Sequence, residues 1–280
     1  MKWPARGATV RLAAKHTEKI RKAFKDSLDA EAIVKSWNET HIHDASTTPE
    51  LARDWAKVHV VFKKKPLEDA LRFLYADGYV LGETASEVML ASLIVKKAAG
   101  TEATVGVGNV NWDTWKPGNR AAAALLEPKN GLKTLLDGKN ILVNGITDTK
   151  LNTIGSVLAQ SLSDGSTVQK TASLINDVID DPERAAMIAR TEISRAVNIA
   201  SNDLYASSGV EQVDWLVAEG CQDCQDNADA SPIDIGSEFP SGDTEPPAHP
   251  NCMCTIAPAA VDNSAYQDST NSDQTDNTEE

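Results

Sequence analysis

No cysteine occurs in the first 220 residues of this 280-residue chain; all four lie between Cys221 and Cys254. A disulfide framework spread along the sequence is thereby excluded. No run of about 18 apolar residues occurs, which excludes a membrane-spanning helix and any membrane partner read from one. No apolar stretch follows Met1-Lys2-Trp3-Pro4, so a secretory leader is not expected and synthesis in a reducing cytoplasm is. Aromatic residues are few, 5%, beside a hydrophobic content of 41%, a balance that suits a largely helical globular protein. Gly106 and Gly108 lack both the third glycine and the Lys-Ser/Thr pair of a phosphate-binding loop, which excludes nucleotide binding of that kind. No H-E-x-x-H, no nucleophile elbow and no H-x-E…C-x-x-C deaminase pattern occurs, so no catalytic residue is expected. His16, His41, His43 and His59 are scattered, and a His41-x-His43 pair on a helix end would face two different sides.

Charge is unevenly distributed. The chain carries a net −14, which argues against general nucleic-acid binding. Residues 1–65 hold 14 Lys and Arg against 8 Asp and Glu, a net of +6, and the remainder holds 13 against 33, a net of −20. The basic head reads first as a solvated helix face, and secondarily as a contact for nucleic acid or an acidic partner.

Apolar spacing predicts one or two helices over residues 8–45, through Val10, Ala13, Ala14, Ile20, Phe24, Leu28, Ile33 and Trp37. Thr48-Pro49-Glu50 is a helix start, with Thr48 as N-cap. A helix from Leu67 to Ala76 is expected to stop at Gly78, and an apolar one follows from Thr84 to Ala98. Residues 99–119 read as a loop or short hairpin anchored by Trp112 and Trp115. Helices return at 118–127, 129–137, 147–163 and 167–179, the last capped by Ser166. Asp181-Pro182-Glu183 opens the clearest helix, which runs to Ser207 before Gly209 and carries Ala186, Ala189, Ile193, Ala196, Val197, Ala200 and Leu204 as a narrow small-residue face. Glu192 and Arg195 are spaced to pair on it. Val210, Val213, Trp215 and Val217 then alternate as a strand, with Thr255-Ile256 as its expected partner and a turn or hairpin around Ile233–Phe239. The fold class is mainly α: an antiparallel helical body followed by a small α+β C-terminal region with a Cys/His knuckle. A helical N-terminal region over 1–139, basic at its start, precedes the C-terminal region of 140–258. The tail at 259–280, acidic and poor in apolar residues, is expected to be disordered.

The knuckle reads C-x2-C, a 24-residue gap, then H-x2-C-x-C. Cys221, Cys224, His249 and Cys252 supply the donor set of a closed tetrahedral zinc site, with Cys254 as the alternative fourth ligand. Two disulfides, free buried thiols, and a redox C-x2-C without its usual βαβ surroundings are the competing readings. Within the loop lie Asp223, Asp226, Asp229, Asp234, Glu238, Asp243 and Glu245 and no Lys or Arg, so phosphate would be repelled there.

Three blocks in order carry a resemblance: Ile188–Asn198 (IARTEISRAVN), the Gly209-Val210…Trp215 strand leading to Cys221-x-x-Cys224, and Pro246–Cys254 (PPAHPNCMC). Together they resemble the Mu-F-like head morphogenesis, or minor capsid, proteins of tailed phages, over about residues 140–258. One departure is Met253, where the family tends to carry arginine. The resemblance implies a low-copy structural protein of the virion, at or inside the portal vertex and made in the host cytoplasm. Its implied partners are the phage portal protein and a major capsid or scaffolding protein, with roles in procapsid assembly and in DNA packaging or ejection; the basic N-terminal segment would be the part that touches packaged DNA. Members that carry toxin modules imply the alternative, a toxin-like or nucleic-acid-acting enzyme on the same domain. No added C-terminal module is expected here.

Overall fold

The computed structural model describes residues 3–40, 48–99, 110–218 and 221–261. His41, His43, Gly106, Gly108 and the tail from residue 262 lie outside the described residues. Among those described, the chain forms α1 (Arg6–Ser27), α2 (Ala30–Thr40), α3 (Pro49–His59), α4 (Lys65–Ala99), α5 (Asn119–Leu126), α6 (Asn130–Ser163), α7 (Val168–Ile179), α8 (Pro182–Ser207), β1 (Val210–Leu216), α9 (Gln222–Asp229), β2 (Ile233–Asp234) and β3 (Thr255–Val261). The fold is mainly α with one small antiparallel sheet, in the order β2-β1-β3.

Two compact units divide the chain without following its order. One comprises Met1–Arg11, Ala76–Leu132 and Arg190–Glu280; the other comprises Leu12–Tyr75 and Lys133–Ala189.

In the second unit, local signals set most helix starts. Thr48 accepts the Leu51 N–H at the head of α3, and Asp181 accepts that of Arg184 at the head of α8. The cap of α7 is Thr167, one residue later than expected. The buried face of α1 is also rotated from the expected stripe. His16, Ile20, Ala23 and Phe24 are buried, whereas Ala14 is exposed. Helix α6 runs unbroken through 138–146, where a gap was expected, because Gly138 and Gly145 keep helical geometry on an open face. Gly155 instead lies where a Cβ would stand 2.4 Å from the Arg53 Cα of α3. At the end of α7, Asp180 takes 2.9 Å and 2.8 Å contacts from Arg21 and Lys25 of α1. These two cations hold its carboxyl down to about 2.

The first unit is built on the contact between α4 and α8. The expected stop at Gly78 does not occur: α4 continues through Gly78 and Gly82. A Cβ at Gly78 would lie 2.8 Å from the Ala196 Cβ, and one at Gly82 would lie 2.3 Å from the Val197 carbonyl oxygen. Glycine here lets two helix backbones approach, and the small-residue face of α8 supplies the other half of that approach. Across the same contact Ser86 donates to Ser201 at 2.8 Å. Trp115 packs on Ala76, Val80 and Ala121, an anchor as expected.

The sheet completes this unit. Val210, Val213 and Trp215 are its buried residues on β1, and Leu216 and Trp215 sit opposite Thr255 and Ile256 of β3. The predicted strand and its predicted partner are both present.

Gly82→Ala should therefore destabilise the protein by about 3 kcal/mol, the upper end for overpacking. Gly145→Ala, in an open helical position, should stabilise it by about 0.5–1 kcal/mol. Urea unfolding of the two variants checks both signs. The Asp180 cluster adds a pH signature. Its carboxyl titrates below its ordinary 3.8 in the folded chain, so its contribution is present above about pH 4 and fades as pH falls toward 2. Asp180→Asn should cost about 1 kcal/mol at neutral pH, and the difference from wild type should vanish as pH falls below about 2.

Candidate metal centre

The cluster is assembled by four short pieces of chain in the first unit. Strand β1 ends at Leu216, and the chain reaches Cys221, which N-caps α9. The Cys221 sulfur accepts the Cys224 N–H at 3.4 Å, so the first turn of α9 presents both thiols together, and the positive end of the helix favours their anionic form. His249 to Cys252 form a tight turn closed by the Cys252 N–H on the His249 carbonyl, 3.1 Å. Asn251 takes the left-handed conformation in it, φ 66°, which asparagine tolerates better than most residues. The chain then passes through Cys254 into β3.

These pieces bring the donor atoms together. The Cys221 sulfur lies 3.1 Å from His249 Nε2. The Cys224 sulfur lies 3.5 Å from the same nitrogen and 3.7 Å from the Cys252 sulfur. Tetrahedral zinc, with Zn–S about 2.3 Å and Zn–N about 2.0 Å, sets its ligand atoms about 3.5–3.8 Å apart. The Cys224 spacings match. All four cysteines are free thiols, and a disulfide would need sulfurs about 2.05 Å apart. The cluster can hold a metal ion. Its donors fall into two overlapping triads, each with ligand atoms within 4.8 Å of one another: Cys221, Cys224 and His249, and Cys224, Cys252 and Cys254. Cys224 belongs to both.

Protonation is uneven across the cluster. His249 Nδ1 lies 2.8 Å from the Pro250 carbonyl. A carbonyl only accepts, so Nδ1 carries the hydrogen and Nε2 faces the sulfurs with its lone pair. That hydrogen bond is also the main cause of a raised imidazole pKa. The N–H of Cys224 lowers the Cys221 thiol. Cys254, receiving the Cys252 thiol and, at 3.4 Å, the Ala218 N–H, falls to about 5. Burial pushes Cys224 up to about 12, and the bond to Cys254 raises Cys252. Metal binding would displace the protons of these last two.

Sequence reasoning missed the residues that fix this geometry. A polar stripe on α8 holds the second ligand segment. Thr191 accepts the Asn251 N–H at 3.0 Å. Asn198, 0% exposed, donates from Nδ2 to the Ser194 and Cys254 carbonyls at 2.8 and 3.0 Å, and accepts the Ile256 N–H at Oδ1 at 3.0 Å. Asn202 donates to Glu245 at 2.9 Å. The spacing of 191, 194, 198 and 202 is a helical face, a signal that the sequence carries beside the apolar one. The expected Glu192–Arg195 pair forms, at 3.3 Å.

The electrostatics of the region are one-sided. No Lys or Arg follows Arg195 in the sequence, and Asp223 and Asp226 of α9 are exposed.

Residues 152–257 match the family described as Phage Mu protein F like protein. No curated protein and no solved structure matches the chain.

Removing the clamp should loosen the site without touching a ligand. Asn198→Ala leaves the Ile256 N–H buried without its acceptor and the Cys254 carbonyl with only the Ser194 hydroxyl at 3.4 Å, at about 1–3 kcal/mol for the lost pairing. Expected outcomes are a melting temperature lowered by several degrees and a metal affinity reduced about 10–100-fold, read by calorimetry and chelator competition.

Proposed function

We propose, from the match of residues 152–257 to the family described as Phage Mu protein F like protein, that the chain is a minor structural protein of a tailed-phage head. In this reading it acts in head morphogenesis at or near the portal vertex, with the portal protein and a major capsid or scaffolding protein as partners. Its role is assembly rather than catalysis. One observation carries the reading: inside the matching stretch Cys221, Cys224 and His249 form one donor triad, and Cys224, Cys252 and Cys254 form a second that shares Cys224 with it, so a third thiol drawn from the second triad would complete a four-ligand set. Four protein ligands leave a metal no open position for water or substrate, which is the pattern of a structural zinc. The ion would supply folding free energy by tying α9 to the 249–254 turn. The acidic surroundings disfavour a phosphate backbone at the knuckle. Any contact with packaged DNA belongs to the basic residues of 1–65, several of which, such as Lys22 with Asp26 and Lys65 with Asp69, are already paired within their own helices.

Two measurements test this. Purified protein should carry one zinc per chain, and chelation should lower its melting temperature; no bound metal and an unchanged melt would sink the structural-zinc part. Quantitative mass spectrometry of procapsids and virions should find the protein at low copy, co-purifying with the portal. Its absence from both particles would overturn the head assignment.

A further inference from the structure

The knuckle has five donors for four positions, and the fifth is not idle packing. Cys252 closes the 249–252 turn and Cys254 directly precedes β3, two residues further on. Both are 2% exposed, and both sulfurs lie within 4.8 Å of the Cys224 sulfur and of each other. Each backbone is fixed independently, Cys252 by its N–H on the His249 carbonyl and Cys254 by its carbonyl on Asn198. Both sulfurs adjoin Cys224, the one donor common to the two triads. The Cys254 sulfur is also met by the Ala218 N–H at 3.4 Å, a donor of the kind that supports a metal-bound thiolate.

We propose that the fourth metal position is shared: Cys252 and Cys254 are interchangeable ligands on a core of Cys221, Cys224 and His249. This rests on the structural-metal reading above. It follows that the ion keeps three thiolates and one imidazole whichever thiol is engaged, and that loss or oxidation of one leaves the site closed.

Full-length wild type, Cys252→Ala, Cys254→Ala and the double variant, each loaded with cobalt(II), test this. Alanine is chosen because both sites are apolar and buried. Each single variant should bind one equivalent with the three-thiolate, one-imidazole absorption spectrum and an affinity within about tenfold of wild type. The double variant should lose the third thiolate band and at least about a hundredfold in affinity. If one single variant keeps the metal and the other loses it, the ligand is dedicated and the proposal is overturned. A wild type that binds no metal overturns the structural-metal reading itself, and this proposal with it. Should either single variant fail to fold by circular dichroism, alkylation of zinc-loaded wild type decides. Comparable labelling of Cys252 and Cys254, both faster after chelation, supports sharing. Chelator-sensitive protection of one alone overturns it.

Discussion

A single buried amide organises the C-terminal part of this molecule. Asn198 offers one acceptor and two donors, and all three find partners: the Ile256 N–H, the Cys254 carbonyl and the Ser194 carbonyl of its own helix. Toward residues 254–256 it behaves as a neighbouring strand would, matching one carbonyl and one N–H two residues apart. The chain leaving the last cysteine is thus pinned to α8 on one side while β3 pairs with β1 on the other. The same β1 leads on to the Ala218 N–H that meets the Cys254 sulfur. The positions of the sulfurs are consequences of where α8 lies.

Helix α8 can serve as that platform because α4 comes unusually close to it. Gly78 and Gly82 remove the side chains that would keep the two apart, and Ala196 and Ala200 receive them. The two faces of α8 are specialised. Its small apolar face packs on α4, and its polar stripe of Thr191, Ser194, Asn198 and Asn202 reaches to the ligand segments. A polar stripe is normally the solvent side of a helix; here its innermost member is wholly buried and fully paired.

That contrast explains what the sequence made legible. Signals that act within a few residues were readable: the Thr48 and Asp181 caps, the Gly209 stop, the alternation of β1 and the close spacing within each cysteine cluster. Features set by distant partners were not. Gly78 reads as a terminator because its local effect is to weaken a helix, while its reason for being there, Ala196, is 118 residues away. Asn198 carries no local signal of its role, because nothing nearby in sequence reveals the carbonyl it meets. Val10, apolar and in register, is 53% exposed, since periodicity gives the width of a stripe better than its rotation.

The partition of the chain into two interleaved units has a consequence for how such proteins can be cut and recombined. The family-matching stretch begins inside α6 and ends in β3, so it takes 152–189 from one compact unit and 190–257 from the other. The glycines that seat α8 lie outside it, at 78 and 82. What is inherited as one block of sequence is therefore not one block of matter: grafted elsewhere, it would bring the metal donors but leave behind half of the contact that holds them in register.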